Sequence, residues 1–135
     1  MTILAEQAAQ EVRSLHAAFV ELFTGRSQDF DRCSRSLATD FQMITPDGLL
    51  VSRALVLDRL ASTRMSPDFR ISISDLSLVA DLGDSVLLRY IEEQYRDTKT
   101  TRRLATALFT VEKRAPCGVV WRHLQETWIP DAKDH

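Results

Sequence analysis

The sequence has little cysteine, glycine or proline, and it has no long apolar run. Among 135 residues there are 2 cysteines, 4 glycines and 4 prolines. Cys33 and Cys117 lie far apart in the sequence, which indicates a reducing, cytoplasmic environment rather than a disulfide framework. No segment has the length of a membrane-spanning helix, and the N-terminal residues carry early acidic side chains, unlike a signal peptide. We therefore expect no membrane partner.

Positive charge is not concentrated anywhere in the chain. There are 17 Lys and Arg residues against 19 Asp and Glu residues, which gives a net charge of −2. Binding of nucleic acid depends on clustered positive charge, so we expect no nucleic-acid partner. The 3 histidines form no close group with cysteines or carboxylates, and no glycine-rich phosphate loop or nucleophile elbow occurs. We therefore expect neither a metal nor another cofactor.

Apolar periodicity predicts helices in the first half of the chain. Apolar residues recur at three- and four-residue steps over Ile3–Thr24, which is typical of an amphipathic helix capped by Thr2 and ended by Gly25. A short helix capped by Ser27 and a third helix capped by Ser52 are predicted on either side of a small hairpin. The length and composition predict one domain over residues 1–130 and a disordered tail at residues 131–135.

The second half alternates with a period of two, which predicts four antiparallel strands. They cover Phe69–Ala80, Val86–Arg96, Arg102–Arg114 and Val119–Pro130. The apolar parity flips across Ser74–Asp75, as it would at a β-bulge. Helices followed by strands indicate an α+β domain, with the N-terminal helices packed on the concave face of a curved antiparallel sheet.

The last strand is predicted to be central, because it alternates strictly and carries one tryptophan in each of its two rows. Turns near Thr98–Lys99 and Pro116–Cys117 set a register that assigns each side chain to a face, although a one-residue slip would exchange the faces. Together with His16, the concave face then carries the pocket-lining candidates Tyr90, Glu92, Arg103, Ala107, Phe109, Glu126 and Trp128, along with Arg122 and Leu124.

The opposite face mixes apolar, aromatic and neutral polar groups. Such a surface is typical of a subunit interface, so we predict a homodimer that packs sheet on sheet. The candidates for this interface are Arg89, Thr106, Trp121, His123, Gln125 and Thr127.

The polar groups on the concave face have two interpretations. A carboxylate such as Glu92 or Glu126 in an apolar pocket has a raised pKa and can serve as a general acid or base. Alternatively, these carboxylates form structural ion pairs with Arg103, since buried charges usually persist only when paired. His16 is either a base facing the carboxylates or a half-buried residue at the edge of the helix stripe. Phe109 and Trp128 are either pocket walls or core residues.

Three features resemble the nuclear transport factor 2-like superfamily, which includes ketosteroid isomerase, scytalone dehydratase and the SnoaL-like polyketide cyclases. They are the long first helix, the segment ATDFQMITPDG and the closing strand WRHLQETW. The resemblance is closer to small, mostly uncharacterised domains related to the kinase association domain. It implies a cone-shaped, cystatin-like fold, a pocket between the helices and the sheet, and a dimer through the sheet.

The resemblance also places three positions of the ketosteroid isomerases on this chain. Thr45 stands where those enzymes have their base aspartate, and Ala107 stands where they have a donor aspartic acid. His16 and Ala17 are nearest to the position of their donor tyrosine. The base and both donors of that isomerase are thus replaced.

Two functions follow as expectations. The first is a domain that binds a small molecule in an apolar pocket, with or without cofactor-free acid–base chemistry of the isomerase, dehydratase or cyclase type. Glu126 or Glu92 would then be the base. The second is a non-catalytic, dimeric interaction or assembly module whose working surface is the sheet. An open cavity that reaches an unpaired carboxylate or His16 favours the first, and a filled cavity with fully paired charges and a large sheet interface favours the second.

Overall fold

The computed structural model describes residues 1–130 and confirms the α+β fold. Its helices are α1 (Ile3–Phe23), α2 (Phe30–Ser34) and α3 (Arg53–Ser62). Its strands are β1 (Leu37–Ile44), β2 (Leu50–Ser52), β3 (Arg70–Asp81), β4 (Ser85–Arg96), β5 (Lys99–Val111) and β6 (Val119–Trp128). The predicted disordered tail, residues 131–135, lies outside the described residues.

The helix caps follow the sequence signals with one exception. The side chains of Thr2 and Ser52 cap α1 and α3 as predicted, and Gly25 adopts a left-handed conformation with φ +78° just after α1. The short helix α2 is capped by Asp29 rather than Ser27, because the carboxylate of Asp29 accepts the free N–H of the first turn. Within residues 1–130, no helix combines the length and apolarity needed to cross a membrane.

The six strands form one open sheet in the order β2-β1-β6-β5-β4-β3. Strand β1 runs parallel to β6, and the other neighbouring strands run antiparallel, so the sheet is mixed rather than wholly antiparallel as predicted. The last strand in the sequence therefore lies inside the sheet, with a neighbour on each side. This agrees with the prediction of a central strand.

Two predicted features of the sheet register are present. The β3–β4 pairing shifts just after Ser74, and Asp75 has a positive φ of 52°, which is the predicted β-bulge. The β4–β5 turn is Asp97–Thr98, one residue earlier than predicted. Moving a turn by one residue displaces the pairing by two, so every side chain of these strands keeps its predicted face.

A second β-bulge in β6 was not predicted. Leu108 pairs with His123 and Phe109 pairs with Trp121, which leaves Arg122 as an extra residue on β6. Because the bulge reverses the alternation, Trp121 points into the concave side and is only 1% exposed. The prediction that Trp121 faces a second subunit is therefore wrong, and Arg122, predicted to be concave, is exposed.

The core lies between α1 and the concave side of the sheet. Helix α1 packs on β3, β4 and β6, while α3 packs on β1 and β2. The buried residues of the sheet include Leu88, Tyr90, Ala105, Ala107, Phe109 and Leu124. The two helices cover different strands, and a cavity lies between them and the sheet.

Candidate functional site

The cavity has a volume of about 370 Å³, and its walls are mostly apolar. Helix α1, helix α3 and the concave face of the sheet supply the apolar lining, which includes Leu15, Phe19, Phe23, Phe41, Met43, Val56, Leu60 and Trp121. Its polar lining includes Thr63 and the side chains of His16, Glu92, Gln94, Arg103 and Glu126. Two exposed residues, Arg59 and Arg96, also line it and mark its opening to solvent. Volumes of this order suit a small organic molecule.

His16 and Glu92 form a buried ion pair at the polar end of the cavity. The imidazole Nε2 lies 2.9 Å from Glu92 Oε1, and Nδ1 lies 2.6 Å from the carbonyl oxygen of Val12. Both partners are acceptors, so the ring donates from both nitrogens in its protonated form. Burial alone would lower the pKa of His16, but the charge and hydrogen bond of Glu92 outweigh it and raise this pKa.

The carboxylate of Glu92 is held in its ionised form. Burial alone would raise its pKa, but the attraction and hydrogen bond of His16, together with the charge of Arg103, lower it to about 2. Gln94 donates to the second oxygen, Oε2, at 2.6 Å. With both oxygens bound, Glu92 is a fixed negative charge and not a proton acceptor at neutral pH.

Aromatic side chains fix the orientation of the His16 ring. Phe19, Tyr90 and Trp121 meet it edge-on, with ring centroids 5.6, 5.7 and 6.0 Å away. The hydroxyl of Tyr90 is buried and has no hydrogen-bond partner among residues 1–130. Burial raises the pKa of Tyr90 well above its ordinary value, and the nearby charges of Glu92 and Glu126 add to this effect. Tyr90 therefore stays protonated at physiological pH.

Glu126 is the carboxyl group of the cavity that can change its protonation state near neutral pH. It is only 3% exposed, and its one side-chain hydrogen bond within the described chain joins Oε1 to Arg103 Nη1 at 3.2 Å. Burial raises the pKa of Glu126, and the negative charge of Glu92 raises it further. The attraction of Arg103 offsets only part of this, so the pKa is about 7. A pKa near the working pH is the property that general acid–base catalysis needs.

Arg103 connects the main cavity to a second one. Its guanidinium carbon lies 4.7 Å from the centre of the Trp128 ring, and its Nε is buried without a hydrogen-bond partner in residues 1–130. The second cavity has a volume of about 260 Å³ and is lined by Gln94, Arg96, Asp97, Lys99, Thr101, Arg103 and Trp128. Gln94, Arg96 and Arg103 line both cavities, so the two adjoin each other.

The pocket-lining candidates fall into three groups. His16, Glu92, Arg103 and Glu126 line the main cavity. Tyr90, Ala107 and Phe109 are fully buried on the same face, beneath the surface of the cavity. Trp128 is 40% exposed, lies in the wall of the second cavity and donates from its indole N–H to Asp47 at 2.9 Å. The sequence reasoning missed Gln94, Arg96 and Arg59, which as polar residues near turns or on an exposed helix gave no distinctive signal.

Five of the six interface candidates lie on the convex face. They are Arg89, Thr106, His123, Gln125 and Thr127, which are exposed or half-buried in the single chain. The sixth, Trp121, is a wall of the main cavity because of the bulge at Arg122.

A third buried carboxylate, Glu11, was also missed. It is fully buried, and Trp121 Nε1 donates to its Oε2 at 2.9 Å while Arg32 Nη2 donates to its Oε1 at 3.0 Å. Arg32 also donates to Ser14 and Ser36. The sequence does contain a signal for Glu11, since it lies inside the apolar stripe of α1. Among the residues described, no group of three or more His, Cys, Asp or Glu is placed to hold a metal ion.

Comparison with known proteins identifies the fold through structure. No protein-family model matches the sequence, and the search of curated proteins gave no match either. An NTF2-like protein of unknown function from Pseudomonas aeruginosa is 28% identical, with a TM-score of 0.83 over 92% of this chain and 99% of that one. The S. rosetta CaMKII hub is 14% identical, with a TM-score of 0.76 over 92% and 95%.

A third similar structure is the association domain of C. elegans CaMKII. It is 11% identical, with a TM-score of 0.67 over 92% of this chain and 97% of that one, and so shows likeness of fold alone. The element order, the helix-covered concave face and these neighbours agree with one another. The chain belongs to the nuclear transport factor 2-like superfamily.

Proposed function

We propose that the chain binds a small, largely apolar molecule in the main cavity and transfers a proton on it, with Glu126 as the acid–base group. The observation that supports this proposal is a carboxyl group with a pKa of about 7 lining a mostly apolar cavity of about 370 Å³. No cofactor is required. The reaction class is an isomerisation, dehydration or cyclisation that begins with loss of a proton next to a carbonyl group.

The steps assigned to Glu126 balance without another reagent. The ionised carboxylate accepts a proton from a carbon next to the carbonyl, and the resulting acid returns the proton to another atom of the same molecule. Arg103 holds one carboxyl oxygen at 3.2 Å, which fixes the direction of the other. The ion pair of His16 and Glu92 keeps a negative charge nearby, and this charge helps to raise the pKa of Glu126 into the useful range.

Proton exchange in heavy water tests the catalytic part of the proposal. A panel of ketones and β-hydroxy carbonyl compounds is incubated with the protein in D₂O, and NMR follows deuterium incorporation or loss of water. Glu126→Gln keeps the shape of the side chain and should lower the rate by roughly 10²- to 10⁴-fold. The matched control is Glu93→Gln, which makes the same change at a side chain that is 46% exposed. A panel with no substrate, or unchanged rates in Glu126→Gln, would reject catalysis by this group.

We propose a second, non-catalytic function, self-association through the convex face of the sheet. This face leaves Leu104 41% exposed and Leu87, Ile91 and Leu108 only half-buried in the single chain. Exposed apolar surface of this kind is typical of a subunit interface. Two of the similar structures are named as a hub and an association domain, which is compatible with assembly. The remaining polar interface candidates, including Thr106, His123 and Gln125, would then lie between the subunits.

Sedimentation equilibrium tests the assembly proposal. We expect the native chain to be a dimer, and Leu104→Lys to shift it to a monomer because each subunit would bury a new charge. Leu49→Lys is the control, since Leu49 is 59% exposed in the β1–β2 turn. A monomer at every concentration of the native chain would contradict the proposal.

We propose a cytoplasmic location on the basis of the two free thiols. Cys33 is buried, and burial raises the pKa of its thiol to about 11, while Cys117 lies in the β5–β6 turn. Unpaired cysteines are usual in reducing compartments. Recovery of the native protein from a periplasmic or secreted fraction would reject this location.

A further inference from the structure

The opening of the main cavity carries an excess of positive charge. Arg59, Arg96 and Arg103 line this cavity, and of these three only Arg103 forms an ion pair with a carboxylate of the described residues. Of the two lining glutamates, Glu92 is already balanced by His16. The remaining one, Glu126, is only partly ionised at neutral pH. The cavity and its opening therefore carry more positive than negative charge, which favours an anionic ligand.

Arg103 has a side that faces no protein acceptor. Its single side-chain hydrogen bond in the described chain uses Nη1, which donates to Glu126. Its Nε is buried without a partner, and Nε and Nη2 form the other edge of the planar guanidinium. This edge is the one that can bind a carboxylate with two parallel hydrogen bonds. A buried donor without a partner is destabilising, so this edge favours binding of an acceptor.

The second cavity supplies the space for such a group. It holds Arg96, Lys99 and Arg103 with one carboxylate, Asp97, and Trp128 forms an apolar wall. Gln94, Arg96 and Arg103 line both cavities, so the two are close enough for a single ligand to be considered for both. The main cavity is apolar and the second is cationic, so the pair suits a molecule with an apolar body and an anionic end.

We propose that the ligand is a small apolar carboxylic acid, whose body occupies the main cavity and whose carboxylate occupies the second. The carboxylate binds to the Nε–Nη2 edge of Arg103, with Arg96 and Lys99 adding charge. This inference rests on the proposed ligand-binding role of the main cavity. A substrate among such acids must also carry a keto group next to the carbon that loses the proton to Glu126, because a carbon next to a carboxylate alone is not acidic enough. Since Arg103 contacts Glu126 through its other edge, the carbons nearest the carboxylate lie beside Glu126.

The test compares two probes of the same shape and different charge, 4-phenylbutyrate and 4-phenyl-1-butanol. Isothermal titration calorimetry at pH 6, where the probe acid is ionised and Glu126 is mostly protonated, should show that the carboxylate binds at least about tenfold more tightly. Arg96→Gln and Lys99→Gln should each reduce this preference severalfold. Arg102→Gln is the matched control, because Arg102 carries the same charge one residue away and pairs with Glu93 on the convex face.

Each outcome separates this inference from the function on which it rests. Equal affinity for both probes overturns the anionic ligand and leaves the apolar pocket in place. Binding of neither probe overturns both. A preference for the carboxylate that Arg102→Gln weakens as much as Arg96→Gln does also overturns the inference, because it would reflect the overall charge and not the second cavity.

Discussion

Glu11 and Glu126 are both buried glutamates, and they differ in how many donors reach them. Glu11 receives hydrogen bonds on both oxygens, from Arg32 and Trp121. Glu126 receives one, on one oxygen, and lines a cavity. The same strand, β6, contributes to both sites, one on each side of its bulge. Burial alone therefore does not single out a candidate functional carboxylate, whereas burial combined with an incomplete set of partners makes Glu126 the better candidate.

The largest effect is expected from removing a partner of Glu11, the carboxylate that has hydrogen-bond donors on both oxygens. Arg32→Met leaves the charge of Glu11 buried with one fewer partner, which should lower the free energy of unfolding by roughly 3–5 kcal/mol. Urea unfolding followed by circular dichroism measures it. Arg122→Met is the control, because Arg122 pairs with Asp40 where both side chains are well exposed, at 42% and 61%. That change should cost less than about 1 kcal/mol. Equal losses in the two variants would contradict a structural role for the Glu11 site.

An intermediate effect is expected from the titration of Glu126, which makes the free energy of unfolding depend on pH. The pKa of Glu126 rises from 4.5 to about 7 on folding, so the folded chain keeps a proton that the unfolded chain releases above about pH 4.5. The contribution of Glu126 to the free energy of unfolding is complete at low pH. Roughly 2–3 kcal/mol of it is lost as the pH rises to 7. The raised pKa of His16 acts in the same direction, over its own range above pH 6.5.

Glu126→Gln isolates the contribution of the carboxyl group. Unfolding free energies at pH 5 and pH 8 should fall less between these values in the variant than in the native chain, because only His16 and the surface groups remain. The same decrease in both proteins would show that Glu126 titrates normally in the folded state.

The smallest effect is expected from the coupling between the two carboxylates of the cavity. Glu92→Gln removes a negative charge that raises the pKa of Glu126, so this pKa should fall from about 7 toward its ordinary value. The change corresponds to about 1.4 kcal/mol or less, the equivalent of one pKa unit. Carboxyl ¹³C NMR titration measures it directly. An unchanged pKa would mean that burial alone tunes Glu126.

Much of the fold could be predicted, because local patterns determine it. The stripe of apolar residues from Leu4 to Phe23 is enough to predict α1, and the parity flip at Ser74–Asp75 marks a true bulge. Hairpin pairing is also local, so the faces of β4 and β5 were assigned correctly even though the turn lies one residue earlier.

The site could be predicted only in part, since it depends on one bulge and on contacts between distant segments. Trp121 fits either face by composition, and the strict alternation of β6 concealed the bulge at Arg122. Only the structure shows the change, in which the buried positions pass from odd at Val119 and Trp121 to even at Leu124 and Glu126. The parallel pairing of β1 with β6, and the donors that reach Glu11 from α2, leave no local pattern at all.

The position of β6 between β1 and β5 also sets an order of folding. Strand β1 has only β2 and β6 as neighbours in the sheet, and Leu37 pairs with Trp121. Strand β1, in the first third of the chain, therefore cannot complete its pairing before β6 is in place. Closing so long a loop is slow, and until it closes the edge of β1 that pairs with β6 and the part of α1 that packs on β6 remain uncovered. Pulsed hydrogen exchange should find the amides that β1 donates to β6 protected no earlier than β6 itself. During synthesis, this edge of β1 would stay unpaired until β6 has left the ribosome.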